Sequence, residues 1–93
     1  MVIQDDRTEA QKMTHTILVI GTDRFMSGWG QAPGTSYAAW ACRPHEYQEV
    51  KRAIRARSDM RRVRVVDGRT YRPRGRTGDH FHIYVHNGRE VTT

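Results

Sequence analysis

The sequence predicts a small α+β domain with the element order β-β-α-β-β. Four short segments have the alternating or continuous apolar pattern of strands, and one longer segment repeats its apolar residues with a helical period. At 93 residues the chain has room for one domain with a small core. We therefore expect one four-stranded sheet, mixed or antiparallel, with one main helix packed on one face.

Two strands are predicted before the helix. Residues 14–22 contain the apolar run 17–20, which offers apolar side chains to both faces and is typical of a central strand. Residues 37–42 form the second strand, and their alanines, which lie on both faces, indicate close packing. Residues 1–13 are mostly polar and have no clear period. We expect them to be a loose N-terminal arm before a single folded domain of residues 14–86.

The helix is predicted over residues 44–58. Pro44 suits the first helical turn, since a proline there gives up no hydrogen bond within the helix. Tyr47, Val50 and Ile54 recur at helical spacing and form one apolar stripe that can pack on the sheet. Several arginines lie near the end of this segment, where the helix dipole favours positive charge, so a structural role accounts for them.

Two more strands complete the predicted sheet. In residues 61–66 valines alternate with arginines, so one face of that strand is expected to meet water or a partner. Residues 80–86 place apolar side chains on one face and three histidines and a tyrosine on the other. Residues 87–93 form a polar tail. One helix covers only one face of such a sheet, so we expect a homodimer that covers the other face.

Positive charge is concentrated in the middle of the chain. The sequence has 16 basic and 10 acidic side chains, and its formal net charge is +6. Residues 43–76 hold 12 of the basic side chains against four acidic ones, and 14 of the 16 basic residues are arginines. Arginine binds phosphate and carboxylate groups through two parallel hydrogen bonds, whereas lysine would serve solubility equally well. The pattern therefore favours a negatively charged partner.

The arginines of the third strand and of the loop that follows it are predicted to bind that partner. They are Arg61, Arg62, Arg64, Arg72, Arg74 and Arg76. The glycine-rich loop of residues 23–36 adds Phe25 and Trp29, which either stack on bases, fill a protein pocket or cover the core. Nucleic acid or a nucleoprotein is the expected partner, and an acidic protein surface is the alternative.

The sequence does not predict an enzyme or a cofactor. His80 and His82 lie two residues apart on one strand and could share a metal ion, but no further ligand is close in sequence, so solvent-facing histidines are the simpler interpretation. His15-Thr16 and His80-Phe81-His82 only weakly resemble the paired His-x-Thr/Ser motifs of some phosphoesterases. A small His-dependent metal or phosphoester hydrolase is therefore the weakest alternative.

A reducing cytoplasm is the expected environment of the chain. A single cysteine, Cys42, excludes an internal disulfide. It follows a strand and lies beside Arg43 and near His45, where a thiol pKa can be lowered, although burial as a small apolar residue is the more ordinary role. The longest apolar run is far shorter than the roughly 20 residues of a membrane helix, and the N-terminus lacks a secretory pattern.

Two segments carry a resemblance to known proteins. Residues 22–30 include the element Ser-Gly-Trp-Gly, and residues 57–66 begin with Arg-Ser-Asp-Met. Together they resemble a family of small phage- and prophage-encoded proteins of unknown function, over residues 14–86. The resemblance implies an accessory protein of a mobile element in the bacterial cytoplasm. Such a protein would bind nucleic acid, or it would inhibit a host enzyme or defence complex.

Overall fold

The computed structural model describes residues 1–23 and 34–86. The elements found there are β1 (Val2–Asp5), α1 (Glu9–Thr14), β2 (Ile17–Asp23), β3 (Ser36–Cys42), α2 (Tyr47–Arg55), β4 (Met60–Asp67) and β5 (His80–Val85). The prediction of an α+β domain with one mixed or antiparallel sheet is confirmed, and the sheet is mixed. The prediction of four strands was wrong, because the sheet has five.

The additional strand is β1, within the segment that was expected to be a loose arm. β1 pairs in parallel with β5, so that Val2 lies opposite His80. It is followed by the short helix α1, whose first turn is closed by Thr8 and Gln11. The Thr8 hydroxyl accepts the backbone N–H of Gln11, and the Gln11 side chain accepts the backbone N–H of Thr8.

The strands are ordered β1-β5-β3-β2-β4, which places β1 and β4 at the two edges. β2 is antiparallel to β3 and β4, whereas β5 is parallel to β3 and β1. β2 thus lies inside the sheet, as its pattern predicts, and its side chains Leu18, Val19 and Ile20 are buried.

One face of the sheet, termed the helix face, is covered in part by α2. This helix packs on β4, β2 and β3, and its Val50 and Ile54 are fully buried against Val19 and Trp40 of the sheet. Residues 44–46, predicted as the first turn of the helix, form a separate turn before it. Neither helix in the described ranges is long and apolar enough to cross a membrane.

The opposite side, termed the loop face, is covered by the connecting loop, residues 68–79, between β4 and β5. Tyr71 of this loop packs on the buried cluster of that face, with its ring centroid 6.1 Å from that of Phe81. Met1 also packs against the cluster. The chain therefore covers the face that was expected to need a second subunit. That reason for a homodimer is removed, and the homodimer itself stays a prediction.

The pairing of β2 with β4 contains a β-bulge. Arg62 and Val63 of β4 stand opposite Gly21 of β2, so two residues oppose one. Arg62 has a φ of 54° and is the only non-glycine residue of the described chain with positive φ. An L-residue in this left-handed conformation costs about 1–2 kcal/mol.

Candidate nucleic-acid interface

Five of the six arginines predicted to bind a partner line two grooves at the edge strand β4. One groove has a volume of about 340 Å³ and is lined by Arg61, Arg62 and Arg64 beside loop-face residues of the sheet. The other has a volume of about 450 Å³ and is lined by Arg64, Arg72 and Arg74. Arg64 belongs to both grooves, so the two adjoin. These five residues are termed the arginine surface.

The β-bulge brings Arg61 and Arg64 to the same side of β4. In a regular strand two residues three positions apart point to opposite faces, because side chains alternate. Met60 and Val63 have the same spacing, yet both pack in the helix-face cluster, so the alternation is shifted here. The sequence pattern grouped Arg62 with Arg64 and did not place Arg61 beside them.

Tyr71 positions Arg64 between the two grooves. The guanidinium of Arg64 lies over the Tyr71 ring, 5.4 Å from its centroid, and its Nη2 donates a hydrogen bond of 2.7 Å to the Tyr71 hydroxyl. The same ring packs on Phe81 in the core. Because this contact involves no opposite charge, it orients Arg64 without neutralising it. Sequence reasoning missed Tyr71, although it is the only aromatic residue among the arginines of the connecting loop.

Asp59 and Asp67, the carboxylates of β4 and of the turn before it, pair with arginines outside the arginine surface. Asp59 pairs with Arg57 at 2.7 Å, and Asp67 pairs with Arg69 at 2.9 Å. The hydrogen bonds from the side chain and backbone of Arg69 lower the pKa of Asp67 to about 2, so this pair persists at neutral pH. Within residues 1–23 and 34–86, no ion pair involves an arginine of the surface.

Arg76, the sixth predicted binding residue, is not among the residues that line these two grooves. Its backbone N–H donates to Oδ2 of Asp79 at 2.8 Å, in the turn before β5. The other carboxylate oxygen of Asp79 accepts the N–H of Thr35 at 2.9 Å. These two backbone hydrogen bonds lower the pKa of Asp79. Arg76 therefore belongs to the junction that ties the end of the connecting loop to the beginning of β3.

The histidines and aromatic residues singled out in the sequence are placed as follows. His80 and His82 lie on β5, and Nε2 of His82 is 2.8 Å from Oδ2 of Asp6. In the described part of the chain, no three His, Cys, Asp or Glu side chains form a group that could hold a metal ion. Phe25 and Trp29 lie outside the described residues, and their contact with a partner stays a prediction.

The paired histidine motifs of a phosphoesterase do not converge. β2 begins beside the end of β3, since Ile17 is opposite Cys42, whereas His80 is opposite Ser36 at the start of β3. β3 is seven residues long, so its ends are about 20 Å apart. His15, close to the start of β2, thus lies at the other end of the sheet from His80.

Cys42 has the environment of a structural cysteine. It is fully buried in the helix-face cluster. Burial, together with the charge of Glu46, raises its pKa to about 12. The lowered pKa that its sequence neighbours suggested is therefore not found, because burial disfavours the charged thiolate.

A third groove lies on the helix face and was not predicted. It has a volume of about 360 Å³, and β1, β3 and β5 form most of its lining. Ala38 and Ser36 of β3 lie between Gln4 of β1 and Asp23 of β2, and His82 and Tyr84 of β5 complete the wall. No sequence pattern indicated this groove, because β1, which supplies one side, was not recognised.

Comparisons of the chain with protein-family models, with curated proteins and with solved structures gave no significant match. The resemblance to small phage-encoded proteins therefore stays a prediction. The observation that bears on function is the arrangement of the chain's own side chains, above all the arginine surface.

Proposed function

We propose that the protein acts by binding nucleic acid through the arginine surface. The supporting observation is the convergence of five arginines on two adjoining grooves, without carboxylate partners among the described residues. The guanidinium fork matches phosphate oxygens in geometry and charge. A polyanion with regularly spaced phosphates can engage several of these side chains together and release counterions.

Structural roles explain basic residues elsewhere in the chain more fully than they explain the arginines of the arginine surface. Arg52 and Arg55 lie in the last turn of α2, where the helix dipole stabilises them. Charged side chains also protect an edge strand such as β4 from pairing with other chains. Protection of an edge does not account for Arg72 and Arg74, which lie in the connecting loop and complete the second groove.

The experiment measures affinity against salt concentration for a short duplex and for a single strand. Wild type is compared with the triple variant Arg61→Ala, Arg72→Ala, Arg74→Ala. For duplex DNA each lost phosphate contact should reduce the steepness of the log–log salt dependence by about 0.9, so we expect a loss of about 2–3 units. A single strand should lose about 2 units, because each contact contributes roughly 0.7.

A charge-matched control distinguishes an effect of the arginine surface on binding from an effect of the net charge of the protein. The triple variant Arg43→Ala, Arg52→Ala, Arg55→Ala removes the same charge from exposed positions elsewhere. It should change the salt dependence much less. Equal effects of the two triple variants would contradict the proposal. No binding at low salt, together with effective competition by polyglutamate in host pull-downs, would instead favour the acidic protein surface.

A further inference from the structure

The helix-face groove is open because α2 covers only part of that face. α2 packs on β4, β2 and β3, and the groove lies on the remaining strands β3, β5 and β1. Its volume of about 360 Å³ is in the range of small-ligand pockets. Ala38 offers only a methyl group to the groove, whereas Gln4, Ser36 and His80 add groups that can form hydrogen bonds.

A row of stacked rings borders this groove. The Tyr84 ring lies on Trp40, with centroids 5.6 Å apart and planes inclined by 24°. The His82 ring lies on Tyr84, with centroids 3.8 Å apart and planes inclined by 22°. Trp40 is only 3 % exposed, whereas His82 and Tyr84 are half-buried. Asp6 holds the His82 ring through a contact of 2.8 Å to Nε2. The row is therefore ordered before any ligand binds.

The outermost ring of this row, His82, lies in the wall of the groove. Side chains two residues apart on a strand start about 7 Å from each other. His82 and Tyr84 stand only 3.8 Å apart, so their rings lean together. The next side chain on the same face is His80, and both His80 and His82 line the groove. A flat ring that enters there can stack on His82.

The helix-face groove and the arginine surface meet at one end of the sheet. Tyr37 lines both the helix-face groove and the arginine groove that contains Arg61. Of two adjacent residues, Thr35 lines the arginine groove and Ser36 lines the helix-face groove. The two grooves therefore adjoin at Tyr37, so a strand held by its phosphates on the arginines has its bases near the helix-face groove.

We infer that the helix-face groove receives one unpaired base of the bound nucleic acid, stacked on His82, and that the ligand is single-stranded. The inference rests on the proposed function, because the arginine surface supplies the phosphate contacts that bring the strand to the groove. A duplex keeps its bases paired and stacked, so it cannot place a base there without the cost of unstacking. A single strand offers its bases at no such cost.

The experiment compares three probes that present similar phosphates: a short single strand, the same strand with abasic sites, and its duplex. We expect the single strand to bind at least about fivefold more tightly than the abasic strand, since stacking of one base on an aromatic side chain is worth that or more. We also expect it to bind more tightly than the duplex. Ala38→Val narrows the groove and should remove the difference between the normal and abasic strands, with the affinity for the abasic strand unchanged.

Two further variants complete the design. Ala56→Val is the matched control, because it makes the same change at an exposed position after α2. His82→Ala removes the stacking ring at a half-exposed position and tests the inference if Ala38→Val impairs folding. Strong but equal binding of the normal and abasic strands, or a preference for duplex, would overturn the inference and leave phosphate binding intact. Failure of all three probes to bind would contradict the proposed function as well.

Discussion

The two faces of the sheet are buried by different kinds of structure. The helix face is covered in part by α2, whose nine residues form a rod about 14 Å long. The loop face is covered by the connecting loop, which contains no helix or strand. The helix buries its apolar stripe and leaves a groove where it ends. The loop buries Tyr71 and exposes Arg72 and Arg74, so one segment both completes the core and supplies binding residues.

The largest expected effects compare the cores of the two faces. Phe81→Ala should destabilise the protein by about 3–5 kcal/mol, because Phe81 is buried on the loop face and its removal leaves a cavity. Ile54→Ala should cost about 2–5 kcal/mol for the same reason on the helix face. Denaturant unfolding measures both losses.

Hydrogen exchange distinguishes the two core variants. Phe81→Ala should speed exchange in the connecting loop, since the ring beneath Tyr71 is lost. Ile54→Ala should act mainly on α2. If both variants sped hydrogen exchange in the connecting loop equally, the cores of the two faces would not be independent, and the comparison between them would fail.

The next prediction concerns the anchor of the loop. Tyr71→Ala should cost about 1–2 kcal/mol of stability, because the ring is half-buried against the loop-face cluster. It should also weaken nucleic-acid binding, since Arg64 loses the ring that orients it. Tyr71→Phe is the control that keeps the ring and removes only the hydrogen bond to Arg64, at a cost below about 1 kcal/mol. Equal effects of the two variants on binding would mean that the hydrogen bond, not the ring, positions Arg64.

A pH-dependent effect is expected at the other end of the loop. The backbone N–H groups of Thr35 and Arg76 lower the pKa of Asp79 in the folded protein, so its ionised form stabilises the fold. This contribution is present above the unfolded pKa of about 3.9 and is lost as the pH falls through the lower folded value. Asp79→Asn should therefore lower the Tm at pH 7, by less than Phe81→Ala does.

The difference in Tm between wild type and Asp79→Asn should shrink as the pH falls below 4, because the wild-type carboxyl then becomes protonated. Asp67→Asn is the control: its partner Arg69 is exposed, and a surface ion pair contributes little. A Tm difference for Asp79→Asn that stayed constant down to pH 2 would contradict the role given to the carboxylate.

Local patterns in the sequence predicted most of the fold. The ends of β2 to β5 and of α2 were predicted to within a few residues. The apolar period and the turn residues that mark such an element all lie within one short segment of the sequence. β1 was missed, since its four residues are all exposed and it pairs with a strand at the other end of the chain. The spacing of Thr8 and Gln11 matches a capping box, a local pattern that indicates the start of α1.

The candidate site was predicted less completely. Charge counting identified the arginines, but their grouping depends on the bulge at Arg62, and arginine gives no signal for a left-handed backbone, where glycine or asparagine is usual. Arg76 does not line the two grooves, its backbone is fixed by the turn around Asp79, and its contact with a partner stays a prediction. The helix-face groove could not be foreseen, since it exists only after β1 has paired with β5.

The smallest expected effect tests the bulge under the arginine surface. Arg62→Gly should raise stability by about 0.5–1 kcal/mol, because glycine adopts positive φ without strain and this gain exceeds its larger entropy loss on folding. The same variant should make the salt dependence of single-strand binding shallower by about 0.7, as expected for one lost phosphate contact. Stability and binding would thus move in opposite directions.

Arg61→Gly is the matched control for the bulge variant. Arg61 belongs to the same groove and carries the same charge, but its φ is not positive, so glycine there should lower stability by about 0.5–1 kcal/mol. Binding should weaken in both variants, whereas urea unfolding midpoints should shift in opposite directions. If both variants lost stability, the left-handed conformation of Arg62 would carry no cost. If only Arg62→Gly kept full affinity, the bulge would serve to orient Arg61 and Arg64, and the Arg62 side chain would not itself contact phosphate.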